Sequence, residues 1–157
     1  MSSIADIQQD IIDEFELISE DREATIFYIM ELGQKLPEMS EDLKTEDNII
    51  KGCQSKVWLT AGYEDGKVVF QADSNTDITK GLISLLIRVL SEQTPDDILN
   101  AELNFVEAIG MNQVIGSQRS NGFNSMIKQM KMYALGFKTK EQKKKKKWIK
   151  RSKQKKR

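Results

Sequence analysis

The sequence predicts an α+β protein in which several helices pack on one face of a small antiparallel three-stranded sheet. Three observations carry that expectation. Residues 4–35 and 74–136 place apolar side chains at helical spacing, residues 48–73 switch to short β-branched and aromatic runs, and an Asp65-Gly66 pair separates two of those runs. Ser3 and Asp6 form a capping-box-like start, and Ile4, Ile7, Ile11, Ile12 and Phe15 recur at helical spacing, which predicts a first helix over 4–18. Ser19 reads as the next N-cap with Glu20 and Asp21 on the first-turn dipole, and Ile26, Phe27, Ile29 and Met30 supply a core face before Gly33. That second helix is expected to end near Lys35. Pro37 and the polar stretch 38–47 read as an irregular crossing, because proline disfavours helix in the residue before it.

The strand-like runs are Asn48-Ile49-Ile50, Val57-Trp58-Leu59-Thr60 and Val68-Val69-Phe70. Asp65-Gly66 supplies the positive φ of a type I′ turn, so the second and third runs pair antiparallel. Little more than Gly52-Cys53-Gln54 separates the first two runs, which puts Cys53 at the tip of the first hairpin. Ser74 and Asp77 repeat the capping signature, and residues 78–90 are apolar nearly all round, as a central buried helix requires. Thr94-Pro95-Asp96-Asp97 combines an N-cap, proline at the first helical position and acids in the first turn, so a short helix follows to about Asn100. Another helix is expected over 102–109, a loop over 110–116, and a last helix capped by Ser117. In that last helix Phe123, Met126, Ile127, Met130 and Leu135 face inward until Gly136.

A length of 157 residues fits one domain with a real core, and no run of ~18 apolar residues is present to span a bilayer. The start, Met1 to Asp6, lacks the basic stretch and apolar run of a secretory signal, so the expected location is cytoplasmic. Histidine is absent, which removes imidazole bases, Ser-His and Cys-His dyads, and metal sites that need imidazole. Cys53 is the only cysteine, so neither an intramolecular disulfide nor a four-thiolate metal site can form, and no metal is expected. Any thiol chemistry is shared with a second molecule. The zero net charge hides an asymmetry: residues 138–157 hold thirteen Lys or Arg against Glu141 alone, leaving eleven bases and twenty-three acids in residues 1–137. The segregation predicts an acidic folded domain over 1–137 and a disordered Lys/Arg-rich tail over 138–157. The tail reads first as a solubilising extension that folds back on the acidic body, since nothing in it resembles a groove-reading motif; binding of nucleic acid or acidic lipid through its charge is the alternative.

A lone cysteine is either a small buried hydrophobe or a functional thiol. Cys53 follows Gly52 in a predicted loop between Lys51 and Lys56, a setting in which exposure and nearby positive charge favour the thiolate. The stretch Lys51-Gly52-Cys53-Gln54-Ser55-Lys56-Val57-Trp58 resembles the G-C-Q-S-x-V-W signature of the SufE family, the sulfur-accepting partners of SufS-type cysteine desulfurases. The agreement continues through Glu31-Leu32-Gly33-Gln34-Lys35-Leu36-Pro37, Asp73-Ser74, Lys80-Gly81-Leu82, Gln93-Thr94-Pro95-Asp96-Asp97-Ile98 and Arg119-Ser120-Asn121-Gly122. It covers about residues 4–136 and leaves the Lys-rich tail outside.

The resemblance implies a compact α+β fold similar to the IscU-type scaffold, with the motif cysteine on a loop near the surface. It implies that Cys53 accepts sulfane sulfur from a persulfide on a SufS-like desulfurase, stimulates that enzyme, and passes the sulfur to a Suf-type iron–sulfur scaffold. The protein would then be a carrier and activator rather than an enzyme, without a cofactor, the pyridoxal phosphate belonging to the partner. Thiolate attack on the outer sulfur of a persulfide resembles thiol–disulfide exchange and needs neither metal nor imidazole. By the same resemblance Arg119 lies close to the cysteine loop and controls its position or partner docking, a surface ion pair being the alternative. Gly52 belongs to the same signature, and Gln54 would hydrogen-bond the loop or the incoming persulfide. Lys80 and Asp73 also match, but a solvated charge on a first helical turn explains Lys80 better, and N-capping explains Asp73 without any partner. Trp58 reads as core. A cluster-building scaffold needs several ligands, which one cysteine and no histidine do not supply. Two rivals remain at this level: a non-covalent regulatory module for a desulfurase with a structural Cys53, and a nucleic-acid-binding protein working through its tail.

Overall fold

A computed structural model describes residues 3–155. The elements run α1 (Ile4–Glu16), α2 (Arg22–Gln34), β1 (Val57–Glu64), β2 (Lys67–Ser74), α3 (Asp77–Leu90), α4 (Pro95–Asn100), α5 (Phe105–Ala108) and α6 (Met111–Lys155). Two 3-10 turns, Glu41–Leu43 and Glu46–Asn48, occupy the polar crossing after Pro37. Side-chain caps set the starts of α1, α2 and α4. Ser3 Oγ accepts the Asp6 N–H at 3.1 Å and Thr94 Oγ1 accepts the Asp97 N–H at 3.1 Å, both as the capping rule requires. The second helix is capped by Asp21, which accepts the Ala24 N–H at 3.0 Å, and not by Ser19. Ser19 instead donates its hydroxyl back to the Glu16 carbonyl at 3.3 Å, closing α1 rather than opening α2.

The strands β1 and β2 pair antiparallel from Val57↔Ser74 to Glu64↔Lys67, joined by Asp65 (φ 51°) and Gly66 (φ 79°), both in the left-handed region. Period-two alternation sends Val57, Leu59, Val68, Phe70 and Ala72 into the core. The expected third strand does not form. Asn48 is drawn into a 3-10 turn, and the run that follows makes one bridge, Ile49↔Trp58, plus the hydrogen bond from Ile50 N–H to the Val57 carbonyl at 2.8 Å. The Gly52 backbone then turns away with φ 97°, so the ladder cannot lengthen. On the other edge of the pair, the chain leaving α3 bonds β2 through Val68 N–H to the Gln93 carbonyl at 2.9 Å.

The core is built around α3, with Leu82, Ile83, Leu85, Leu86, Val89 and Leu90 buried. Helix α2 crosses it in close contact: a Cβ on Gly81 would stand 2.0 Å from the Ile29 carbonyl oxygen, and one on Gly33 would stand 2.6 Å from the Gly81 nitrogen. Two expected core residues face out. Phe27 is 67% exposed, because it lies two residues from buried Ile29 and therefore on the far side of α2; Leu135 is 52% exposed beside buried Ala134. Buried Gln8, absent from the sequence reading, donates to the Glu102 carbonyl at 3.1 Å and accepts the Phe105 N–H at 3.1 Å, fixing α1 to the start of α5.

The expected loop over 110–116 is mostly a helical turn, Met111 to Ile115, broken by Gly116 at φ 82° and ψ 169°. Where a disordered tail is expected over 138–157, α6 runs on as helix through Lys155; residues 156 and 157 lie outside the described residues. After Gly136 the sequence holds neither glycine nor proline, and lysine is a good helix former. The start of the extension is anchored to the body. The Phe137 ring stacks on Tyr63 with centroids 5.2 Å apart, Tyr63 Oη donates to the Glu141 carboxylate at 2.5 Å, and Lys138 pairs with Asp96 at 2.7 Å. No helix among the described residues is long and apolar enough to cross a membrane.

Candidate functional site

Cys53 sits in the turn that leaves Ile50 and enters β1 at Val57, the remnant of the predicted hairpin. Gly52 is required there twice: its φ of 97° favours glycine, and a Cβ would come 2.5 Å from Ser125 Oγ on α6. The Cys53 side chain is half-buried against the same helix. Its Sγ donates to the Gly122 carbonyl at 3.4 Å, and a Cβ on Gly122 would stand 3.3 Å from that sulfur. Two glycines on two elements thus let the loop lie flat on α6.

The next residue but one ties the loop to α3. Ser55 Oγ pairs with Thr76 Oγ1 at 2.9 Å and accepts a hydrogen bond from Thr79 Oγ1 at 3.2 Å. Thr76 holds the N-cap position of α3, where Ser74 and Asp77 led us to expect the cap, but makes no capping bond with its side chain. The hydroxyl that would cap the helix is engaged by the cysteine loop instead. Ser74 Oγ donates to the Lys56 carbonyl at 2.8 Å, and Lys56 N–H donates to Asn75 Oδ1 at 3.0 Å, fixing the loop's far end.

Between the loop, α3 and α6 lies a cavity of about 150 Å³ whose lining includes Cys53, Gln54, Ser55, Thr79, Arg119 and Gly122. The fold therefore brings Cys53, Gln54 and Arg119 together, from positions more than sixty residues apart in the case of Arg119. Burial pushes the Cys53 thiol above its ordinary pKa, and among the described residues no cation offsets it. The flanking Lys51 and Lys56 are exposed, so the expectation that they favour the thiolate is not met in this conformation. A thiol whose pKa is raised is less often the nucleophilic thiolate in this conformation.

Asp73 and Lys80 form a separate cluster outside the cavity lining. Lys44 Nζ stands 3.0 Å from one Asp73 oxygen, Lys80 Nζ 3.5 Å from the other, and the Ser74 N–H donates to the carboxylate at 2.8 Å. Burial opposes ionisation of Asp73, but the Lys44 hydrogen bond, the Ser74 amide and the two lysine charges outweigh it and hold the carboxyl below the usual range. Lys44 also lies over the Trp58 ring, 5.6 Å from its centroid, which leaves Trp58 half-buried under a cation rather than in the core. Sequence reasoning missed Lys44, Ser125 and the roles of Gly122, Thr76 and Thr79. Gly122 had a signal, as the last residue of the Arg119 stretch; nothing in the local sequence marks Lys44. Among the described residues no group of three or more His, Cys, Asp or Glu side chains could hold a metal ion.

Fold and site together define a single-cysteine α+β protein that lays its one thiol on a loop over a small cavity. The chain belongs to the SufE family: residues 9–134 match the family model, described as an Fe-S metabolism associated domain. It is 41% identical over 105 residues to an uncharacterized SufE-like protein of Synechocystis, a match covering 67% of this chain and 66% of that one. It is 36% identical over 131 residues to an uncharacterized SufE-like protein of Rhizobium meliloti, covering 80% of this chain and 93% of its relative. A third relative is SufE-like protein 1, chloroplastic/mitochondrial, of Arabidopsis thaliana, 34% identical over 133 residues, with 84% of this chain matched to 36% of the plant protein. The fold is similar to the solution structure of a hypothetical protein from Thermus thermophilus, with a TM-score of 0.67 at 18% identity over 85% of this chain and 96% of that one.

Proposed function

We propose that the protein accepts persulfide sulfur on Cys53 from a SufS-like cysteine desulfurase and delivers it to a Suf-type iron–sulfur scaffold. The observation that carries this reading is the half-buried Cys53 on the Gly52 loop, with Gln54 and Arg119 beside it on one cavity. The step balances without a redox partner: the Cys53 thiolate attacks the outer sulfur of the donor's persulfide, a new S–S bond forms on Cys53, and the donor leaves as thiolate. That thiolate takes up the proton Cys53 gave. Emptying the donor's cysteine readies it for another cycle, which is how a carrier stimulates the desulfurase. The pyridoxal phosphate stays with the donor, and this chain contributes a thiol and a shelter for it.

Shelter and transfer make opposite demands. A persulfide left in bulk solvent is lost to other thiols, so the closed loop protects it; docking must lift the loop toward the donor to let two sulfurs meet. Arg119, exposed at the cavity rim, is the cation placed to hold the loop or steady the anionic persulfide. The proposed compartment is the cytoplasm, with the donor. The test is an intact mass, without reductant, after incubation with a SufS-like desulfurase and free cysteine. One added sulfur atom on the parent and none on Cys53→Ser is the expected result. Full stimulation of the desulfurase by Cys53→Ser would overturn the covalent reading in favour of a binding module.

A further inference from the structure

The segment the sulfur-transfer reading leaves unused is the end of α6. Beyond Glu141 the helix carries Lys143 to Lys147, Lys150, Arg151, Lys153 and Lys155 with no acid among them, and it lies past residue 134, where the family match ends. At 1.5 Å per residue, residues 142–155 extend roughly 20 Å beyond their last contact with the body. Five consecutive lysines span more than a full turn, so every side of this rod bears positive charge.

We propose that this extension is a sequence-independent binding element for duplex DNA that seats in the major groove. Charge on all sides selects the partner. A membrane surface meets a helix from one side and rewards an apolar face, but residues 138–155 contain only two apolar side chains, the adjacent Trp148 and Ile149. A groove instead sets phosphates along both flanks of an inserted helix. The major groove of B-form DNA is about 12 Å wide and admits a helix, whereas the A-form groove of duplex RNA is deep and narrow. The acidic body, with twenty-three acids against eleven bases in residues 1–137, repels the polyanion and confines contact to the rod. Like charges spaced four apart, such as Lys143 with Lys147 and Lys147 with Arg151, weaken the free helix. Phosphates relieve that repulsion, so DNA and helix stabilise each other.

The test is fluorescence anisotropy of the full chain on a labelled 20-base-pair DNA duplex, titrated at several salt concentrations. Affinity should fall steeply with salt and match within about twofold on a duplex of unrelated sequence, since only phosphates are read. A variant carrying Lys143→Gln, Lys144→Gln, Lys145→Gln, Lys146→Gln and Lys147→Gln keeps good helix formers. It should bind at least tenfold more weakly at low salt, with a log–log salt slope shallower by up to about 4 to 5. Cys53→Ser should bind like the parent. Trp148, 70% exposed, should change its fluorescence on binding. Equal binding by the five-Gln variant, no binding at low salt, or tighter binding to a duplex RNA or to phosphatidylserine vesicles would each overturn the proposal.

Discussion

The α2–α3 crossing and the Cys53 loop are both built on glycines at close approach, and they differ in what those glycines touch. At the crossing a Cβ on Gly33 or Gly81 would strike backbone atoms of the facing helix. On the cysteine face, Cβ atoms on Gly52 and Gly122 would meet Ser125 Oγ and Cys53 Sγ, the movable ends of side chains. The first contact is helix on helix and cannot yield without separating core elements. The second is loop on helix, where Cys53 itself is held to α6 by one weak thiol bond and Ser55 to α3 by hydroxyl bonds. A shift of the thiol-bearing loop would therefore meet movable side-chain ends, whereas a shift of α2 on α3 would meet backbone.

Substitutions can break this contrast. The largest effect belongs to Gly81→Ala: a methyl 2.0 Å from the Ile29 carbonyl forces α2 off α3 and should destabilise the protein by about 3 kcal/mol or more, read as a drop in the urea midpoint. A drop under about 1 kcal/mol would mean that the crossing is as yielding as the loop. Ser55→Ala comes next. It removes the partner of both Thr76 and Thr79 and frees Thr76 to cap α3. With one net bond lost, worth about 1 kcal/mol, alkylation of Cys53 in the free protein should speed up roughly fivefold, and the urea midpoint should fall by no more than that ~1 kcal/mol implies. An unchanged alkylation rate would show that the hydroxyls do not hold the loop.

The smallest effect is a pH dependence. The Asp73 carboxyl is lowered, so its ionised form contributes stability that is present above its unfolded pKa, near 3.8, and lost as pH falls through the lower folded value. Below about pH 4 the parent's thermal midpoint should fall more steeply than that of Asp73→Asn. Parallel curves would mean that Lys44 and Lys80 do not stabilise the carboxylate. The Cys53 shift runs the other way: burial raises it, so the alkylation rate of the free protein should keep rising with pH beyond the ordinary thiol range.

The sequence by itself determined what is local. Asp65-Gly66 sets a hairpin because few other pairs accept two positive φ angles; Thr94-Pro95 opens a helix because a hydroxyl and a missing N–H suit its first turn; and the apolar run of α3 must be buried. It also singled out Cys53, the only strong nucleophile in a chain without histidine. The tertiary structure decided what depends on a neighbour distant in sequence. Whether Asn48-Ile49-Ile50 became a strand depended on the 3-10 turn and Gly52 competing for the same backbone, and Phe27 faced out because α3 took the opposite side of α2. The Cys53 environment is the sharpest case. Lys51 and Lys56 are near it in sequence, but its sulfur meets Gly122 on α6, and burial there, not adjacent charge, raises its pKa.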